Sequence, residues 1–279
     1  MPTTNIPECQ SRQSLLNAYF HEEASFWDEI YKGHGVTEII HQERLRVILT
    51  LADKFGRTPS GRWLDVGCGA GLAAVELARR GHAMQALDSV LEMVRLTRTR
   101  AAKEGLDSLV KCELGDVQAL PFADETFSMV IAAGVLPWLP SIDGAVREMC
   151  RVLEPGGRLV LHTSPNVYFM HLVLPSLIPL FALLGRRPLA LKLLRQYRAS
   201  WEYHAREYSE GRLRRLFRRS RFDHVVVQAD RDVLRGGRSD YTASLQSNSL
   251  VRAVASAAAR PPLLWVFGND LWVVADKRT

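Results

Sequence analysis

Two carboxylates and three glycines stand where the sequence pattern changes from a strand to a helix. Residues 64–71 read LDVGCGAG, with Asp65 two positions before Gly67, and Gly69 and Gly71 at the next alternate positions. Glycine suits a loop whose backbone must approach a ligand or adopt a positive φ. The helix that begins there presents free N–H groups and the positive end of its dipole. The pattern therefore predicts a ligand-binding loop.

A second acid, Asp88, ends the next predicted strand, 23 residues after Asp65. An acid at that place can accept hydrogen bonds from both hydroxyls of a ribose. A dinucleotide would bring a diphosphate beside Asp65, and like charges at that distance repel each other. Leu72 also occupies the place of the third glycine of a dinucleotide loop. The two acids therefore favour a cationic nucleoside such as S-adenosylmethionine (SAM).

Alternating elements must hold this loop. Between residues 62 and 163, short apolar runs alternate with helix-length amphipathic stretches, two of which end at Gly81 and Gly105. That rhythm predicts parallel βαβ units in an α/β protein with a doubly wound sheet. Residues 14–55 are predicted to be helical, because their apolar positions recur at helical spacing.

Four motifs, in this order, resemble those of class I SAM-dependent methyltransferases. They are LDVGCGAG (64–71), LDSVLEMV (87–94), LGDVQALPFADETFSMV (114–130) and LEPGGRLVL (153–161). The resemblance covers residues 60–163 closely and the remainder by layout. Within the family, the chain is most similar to the ubiquinone-type and natural-product O-methyltransferases. The resemblance implies a Rossmann-like, mostly parallel sheet of seven strands whose last strand is antiparallel.

The same resemblance implies one methyltransferase domain in four parts. Residues 1–56 would form an N-terminal helical cap, and residues 61–163 the SAM-binding core. Residues 164–212 would form a helical lid inserted after strand five. Residues 213–279 would supply the C-terminal strands and a helix.

The resemblance implies SAM as cofactor and S-adenosylhomocysteine as its product. The three loop glycines would line the methionine and the ribose, Asp65 would meet the methionine ammonium, and Asp88 would hold the ribose hydroxyls. The other implied contacts are Ser89 and Met93 beside the adenine, Asp116 and the Val117 N–H at the adenine edge, and the Ala133 carbonyl near the sulfonium.

The sequence defines the catalytic base less clearly than the cofactor site. After strand four, where related sequences often carry an acid or a histidine, the chain reads GVLPWLP (134–140) and contains neither. His204 is the preferred candidate, because YHAREYSEGRL (203–213) resembles the H-x-R-x-F-[ST]-x-x-x-L segment of the same O-methyltransferases. His162 is the second candidate. The other histidines considered are His21, His34 and His171.

Aromatic residues outside the four motifs are predicted to line the acceptor site. Together with the apolar run 167–185, they favour a small lipophilic acceptor, methylated at oxygen. The aromatic candidates are Tyr19, Phe20, Trp27, Tyr31, Trp138, Tyr168, Phe169 and Tyr203. Methylation of a small molecule at nitrogen or carbon, methylation of nucleic acid, and a protein of this fold that transfers no methyl group, such as a cyclase or a regulatory partner, stay open as alternatives.

Positive charge is concentrated in one segment. The chain has a net charge of +6, and residues 186–221 hold twelve Lys and Arg against three Glu. The apolar run before this segment has the length of a membrane span, but Pro175 and Pro179 interrupt it. It is interpreted as a hydrophobic lid or as part of a peripheral membrane contact over residues 167–201. Since no nucleic-acid-binding module is recognisable, a nucleic-acid partner is not expected.

Composition sets the remaining expectations. A chain of 279 residues with 47% hydrophobic and 24% charged residues is typical of a globular domain. The four cysteines are scattered without a CxxC pair, so we expect neither a zinc site nor a disulfide framework. No acid cluster indicates another metal. These features predict a cytoplasmic protein, with membrane association as the alternative.

Overall fold

A seven-stranded sheet forms the centre of the molecule. The computed structural model describes residues 8–30, 32–33, 36–55, 61–163, 174–185, 210–229 and 271–279, and a few positions between 187 and 194. The strands are β1 (Arg62–Val66), β2 (Ala83–Asp88), β3 (Val110–Leu114), β4 (Phe127–Ala133), β5 (Leu153–Thr163), β6 (Phe222–Ala229) and β7 (Leu271–Lys277). Their order is β3-β2-β1-β4-β5-β7-β6. Strand β7 is antiparallel to both neighbours, while the other pairs are parallel. The predicted fold class is thereby confirmed.

Helices cover both faces of the sheet. They are α1 (Glu8–Glu22), α2 (Ala24–Glu29), α3 (Val36–Phe55), α4 (Leu72–Arg79), α5 (Leu91–Lys103), α6 (Ile142–Val152), α7 (Leu174–Leu183) and α8 (Glu210–Arg218). Apolar residues of α3, α4 and α5 pack on one face, and those of α6 and α8 on the other. Central strands buried on both sides need apolar residues at successive positions. Strand β4 shows this, since its first six residues are all buried.

Strand β5 begins earlier than the sequence pattern indicates. The apolar run predicts a strand from residue 158, but β5 starts at Leu153, directly after α6. Its pairing with β4 shifts between Phe127 and Met129. Gly156 lies near the shift with φ +76°, a conformation that glycine adopts without steric cost. The sequence EPGG (154–157) predicts a turn, but in the structure its two glycines form an irregularity within β5.

Several predictions fall on residues outside the described ranges. These are most of the predicted lid, the predicted helix at 249–259 and the first part of the predicted last strand, which is described from Leu271. The four-part division of the domain stays a prediction. Among the described helices, none is long and apolar enough to cross a membrane.

Candidate cofactor and acceptor site

The glycine loop adopts the left-handed backbone that its sequence predicts. Gly67, Gly69 and Gly71 have φ values of +65°, +55° and +79°. The N–H groups of Gly67 and Cys68 both donate to the carbonyl of Leu87, at 2.8 and 3.1 Å. The loop after β1 is thereby tied to the end of β2, so that the two strand ends form one binding edge.

The three glycines differ in what surrounds them. A Cβ atom at Gly67 would lie 2.4 Å from Val135 Cγ2, and one at Gly71 would lie 2.6 Å from Thr97 Oγ1. A Cβ atom at Gly69 would meet no described atom within 4 Å. Gly67 and Gly71 are therefore required by packing, whereas Gly69 faces open space at the edge of the sheet.

Asp88 is held in place by backbone donors. Its Oδ2 accepts the Gly69 N–H at 2.9 Å, and its Oδ1 accepts the Val90 N–H at 3.0 Å. Burial raises the pKa of the Asp88 carboxyl, and the hydrogen bonds from these N–H groups oppose that shift. Each carboxylate oxygen has a second lone pair and can accept a further hydrogen bond. The side chain can therefore accept from two adjacent hydroxyls without losing its own support.

Asp65 is buried at the end of β1, with only 3% of its surface exposed. Its Oδ2 has no hydrogen-bond partner within the described part of the chain. Burial, together with the charge of Asp88, raises the pKa of Asp65 to about 7. A cationic ligand group beside the two acids would satisfy the orphan oxygen and offset their repulsion.

The predicted adenine segment follows β3 along the same edge. The Gly115 N–H donates to the Asp88 carbonyl at 2.9 Å, which places the next residue, Asp116, beside the binding edge. Asp116 is exposed, and its Oδ1 accepts the Gln118 N–H at 2.9 Å. The Val117 side chain is buried in the core. The adenine-binding roles of Asp116 and of the Val117 N–H stay predictions.

The N-terminal helices are attached to this edge by polar contacts that the sequence does not indicate. The Asn17 amide of α1 donates to the Ser89 carbonyl at 3.2 Å, and the Ser89 hydroxyl donates to Asn17 Oδ1 at 3.2 Å. Arg100 of α5 donates to the Ala70 carbonyl at 2.9 Å and also contacts the Asp28 carboxylate of α2. Asn17 and Arg100 each join residues 72 positions apart, so no local pattern could have found them.

Aromatic side chains converge above the edge. Phe20 lies 5.8 Å from Trp27 and 5.2 Å from Trp138, and Tyr19 lies 6.4 Å from Trp138, between ring centroids. Trp138 closes the 3-10 turn Leu136–Trp138 that follows β4. We call Tyr19, Phe20, Trp27 and Trp138 the aromatic cluster. All four are predicted acceptor residues, whereas the further candidate Phe169 lies outside the described ranges.

The aromatic cluster connects the segments that follow β2 and β4. Phe20 and Trp27 pack against Met93 and Val90, near the start of α5, while Trp138 belongs to the turn after β4. Met93 therefore contacts the helices of the cap, and its adenine contact stays a prediction. The methyl group of a SAM molecule held by Asp88 would lie next to the aromatic cluster.

Helix α3 brings two further side chains toward the same place. His41 is 9% exposed, and its ring lies 5.5 Å from the Trp27 ring. A Cβ atom at Gly134, directly after β4, would lie 2.9 Å from Arg44 Nη1. Residues three apart share a helix face, so His41 and Arg44 point the same way. Neither was predicted, because one turn of an amphipathic helix carries no ligand signature.

The predicted catalytic histidines have separate outcomes. His162 is fully buried in β5, with its ring 4.6 Å from that of Trp272, and is paired with Ala133 of β4. The catalytic role of His162 and the carbonyl role of Ala133 stay predictions. His21 is exposed on α1. Predicted residues outside the described ranges are His34, His171, His204, Tyr31, Tyr168 and Tyr203.

The residues present fit SAM. The orphan Asp65 oxygen suits the methionine ammonium, the supported Asp88 carboxylate suits the ribose hydroxyls, and the open space at Gly69 lies between them. Arg44 would add a positive charge for the methionine carboxylate. Within the described residues, no three His, Cys, Asp or Glu side chains form a group that could hold a metal ion.

Comparison with known proteins agrees with this geometry. A family model described as a methyltransferase domain matches residues 64–161. Methyltransferase GfsG of Streptomyces halstedii is 32% identical over 143 residues, which are 50% of this chain and 51% of that protein. The 27-O-demethylrifamycin SV methyltransferase of Amycolatopsis mediterranei is 34% identical over 139 residues, which are 48% of this chain and 51% of that protein. The chain thus spans about half the length of these curated relatives.

A likeness in structure extends beyond the matched segment. The geranyl diphosphate C-methyltransferase of Streptomyces coelicolor A3(2) superimposes with a TM-score of 0.59 at 17% identity, covering 86% of this chain and 82% of that one. At this identity, the likeness shows the fold. Residues 64–161 thus match a methyltransferase domain, and the likeness in structure, with the order of the strands, shows that the chain has the fold of these enzymes.

Proposed function

We propose that this protein transfers the methyl group of SAM to an oxygen atom of a small lipophilic acceptor and releases S-adenosylhomocysteine. The observation that carries the proposal is the position of the aromatic cluster. It connects the start of α5, which follows Asp88, with the turn after β4, where the methyl group would be presented. The curated relatives and the structural neighbour include O- and C-methyltransferases by name, so the acceptor atom rests on the argument that follows.

The cofactor side needs little chemistry from the protein beyond positioning. Bound SAM supplies a methyl group on a sulfonium. The acceptor oxygen would form a bond to the methyl carbon in line with the carbon–sulfur bond, which breaks and leaves its electrons on sulfur. The chain's own groups hold the ends of the nucleoside: Asp88 the ribose, Asp65 the ammonium and Arg44 the carboxylate. Fixing the methyl donor in this way supplies much of the rate enhancement, because the reacting atoms meet at a set distance.

The acceptor side favours an apolar, planar molecule. Indole and phenyl rings offer large apolar faces and edges, which bind flat lipophilic groups and exclude water from the site. Exclusion of water strengthens the attraction between the cationic methyl donor and an oxygen that is losing its proton. A phenol, an enol or a carboxylic acid meets these requirements.

His41 is our proposed proton acceptor. An oxygen acceptor such as a phenol must lose its proton during transfer, and histidine is the side chain most often used for that task. Among the histidines that the structure describes, only His41 borders the aromatic cluster, through its 5.5 Å ring contact with Trp27. It also shares a helix face with Arg44, which reaches the end of β4. His41 thus fills the role that the segment after β4 leaves open.

The proposal is tested by incubating the protein with methyl-labelled SAM and a panel of acceptors. The panel contains lipophilic phenols, enols and carboxylic acids, matched amines, and RNA and DNA. We expect label in an organic-soluble product that carries a methyl ether or methyl ester, together with S-adenosylhomocysteine. Label at carbon or nitrogen would refute O-methylation, and label in nucleic acid would refute the acceptor class. Conversion of an acceptor without consumption of SAM would instead favour a cyclase.

A further inference from the structure

Helix α7 exposes large apolar side chains to solvent. Leu183 is 85% exposed and Leu184 is 64% exposed, while Leu180, one turn earlier, is 46% exposed. The helix ends at a left-handed Gly185, whose N–H donates to the Ala182 carbonyl at 3.2 Å. None of the described side chains of α7 belongs to a core cluster. Leu180 and Leu183 of this helix are therefore directed away from the body of the protein.

This exposure is concentrated in one segment. Eight large hydrophobic side chains are strongly exposed in the described part of the chain, and four of them lie between residues 180 and 191. The fourth is Leu191, which is 66% exposed. Single exposed leucines are common on protein surfaces, but four within one short segment of the chain favour an interaction surface. We call Leu180, Leu183, Leu184 and Leu191 the leucine patch.

Positive charge accompanies the leucine patch. Arg187 is exposed between Leu184 and Leu191. The segment that continues from α7, residues 186–221, carries twelve Lys and Arg against three Glu, whereas the rest of the chain has a net charge of −3. Apolar side chains flanked by arginine and lysine match the layered chemistry of an anionic lipid surface, where acyl chains lie beneath phosphate groups.

We propose that the leucine patch, together with Arg187, docks this protein on the surface of an anionic membrane. The leucines enter the boundary between headgroups and acyl chains, and Arg187 pairs with lipid phosphates. Because no described helix is long and apolar enough to cross a membrane, the contact is peripheral. A lipophilic acceptor would partition into the same membrane, but the docking itself does not depend on methyl transfer.

The test is flotation of the full-length protein with lipid vesicles. We would compare vesicles of phosphatidylcholine alone with equimolar phosphatidylcholine and phosphatidylglycerol. The double variant Leu183→Glu/Leu184→Glu removes the patch. Val226→Glu is the matched control, because Val226 is 44% exposed on strand β6 and lies outside the patch. All three proteins are titrated with SAM to show that the fold is retained.

We expect the native protein and Val226→Glu to float with anionic vesicles and to be released by high salt. The double variant should lose at least about tenfold in the bound fraction, since each leucine withdrawn from lipid weakens partitioning by about a power of ten or more. Equal flotation of the double variant, or no flotation of the native protein, would overturn the proposal. A dimer that the double variant dissociates would instead assign the patch to a second copy of the chain. If the native protein binds no SAM, the proposed function is refuted, but the flotation result still tests the membrane docking.

Discussion

The cofactor side and the acceptor side of the site are built in different ways. Apart from Arg44, the proposed cofactor side comes from one run of sequence between Asp65 and Val117, and its parts are joined by backbone hydrogen bonds such as Gly69 N–H to Asp88. The acceptor side is assembled from α1, α2, α3 and the turn after β4, which meet through ring contacts and a few side-chain hydrogen bonds. In the proposed site, the backbone therefore fixes the place of the cofactor, while side chains from distant segments would determine the acceptor.

Replacement of His41 should separate the two sides most strongly. With the acceptor found in the labelling screen, we expect His41→Gln to lower kcat by about a hundredfold, because general base catalysis contributes about 10²–10⁴. The Kd of SAM should be unchanged. With SAM saturating, so that the pH dependence of SAM binding does not contribute, the acid limb of the pH profile of kcat/KM for the acceptor should also disappear.

His82→Gln is the matched control for this variant. His82 stacks on Trp63 at 3.7 Å at the opposite edge of the sheet, and its removal should leave kcat unchanged. A His41→Gln enzyme that keeps its full rate and its pH profile would show that another group takes the proton.

The sequence predicts the cofactor side well, because its chemistry is local. A strand end, a glycine loop and an acid on the next strand each leave a pattern within a few residues, and the parallel sheet then brings the strand ends to one edge. The strand order and the left-handed φ of the three loop glycines confirm that reading. The resemblance added the family and its cofactor, which the residues alone left among several alternatives.

The acceptor side is much less predictable. Tyr19, Trp27 and Trp138 were named as aromatic candidates, but nothing in their spacing shows that they meet around Phe20. His41 and Arg44 were missed, because a helix of mixed composition looks the same whether its polar residues face solvent or a ligand. The packing of α3 on the sheet decides that, and packing is a property of the whole fold.

Gly69 provides a test that is confined to the cofactor side. Gly69→Ala places a methyl group in open space, so it should cost about 1–2 kcal/mol of backbone strain and little else in the free protein. The methyl group would intrude on bound SAM, and we expect calorimetry to show at least about tenfold weaker binding.

Gly81→Ala is the control for Gly69→Ala. Gly81 has φ +92°, has no described atom within 4 Å of a built Cβ, and lies at the far end of α4. Both variants should lower Tm by similar amounts, whereas only Gly69→Ala should weaken SAM binding. Equal SAM affinity in the two variants would show that SAM does not bind at the glycine loop.

Asp65 should make the cofactor side sensitive to pH. Burial and the charge of Asp88 hold the pKa of Asp65 at about 7 in the folded protein, above its ordinary value of 3.8. Below that pKa the carboxyl is protonated, and it must release its proton to pair with the ammonium of SAM. Between pH 5.5 and 7, SAM affinity should therefore rise by up to about tenfold per pH unit and then level off. The α-amino group of SAM stays protonated in this window, since such groups titrate near about 7.7–8.0.

The same shift acts on stability with the opposite sign. Because folded Asp65 binds its proton more tightly than the unfolded chain does, the Tm of the ligand-free protein should fall as the pH rises from 4 to about 7. Asp65→Asn should flatten both dependences and weaken SAM binding. A native protein whose SAM affinity does not change with pH would contradict the assigned role of Asp65.

We expect the carboxyl edge of β1 and β2 to bind SAM through Asp88. This expectation is tested most directly by calorimetric titration of the native protein, Asp88→Ala and Asp107→Ala with SAM and with S-adenosylhomocysteine. Asp107 is an exposed acid in the turn before β3 and serves as the matched control. We expect micromolar binding by the native protein and by Asp107→Ala, and a loss of at least about a hundredfold in Asp88→Ala, because two charge-assisted hydrogen bonds are removed. Correctly folded native protein that binds neither compound, or Asp88→Ala that binds both with unchanged affinity, would contradict the account.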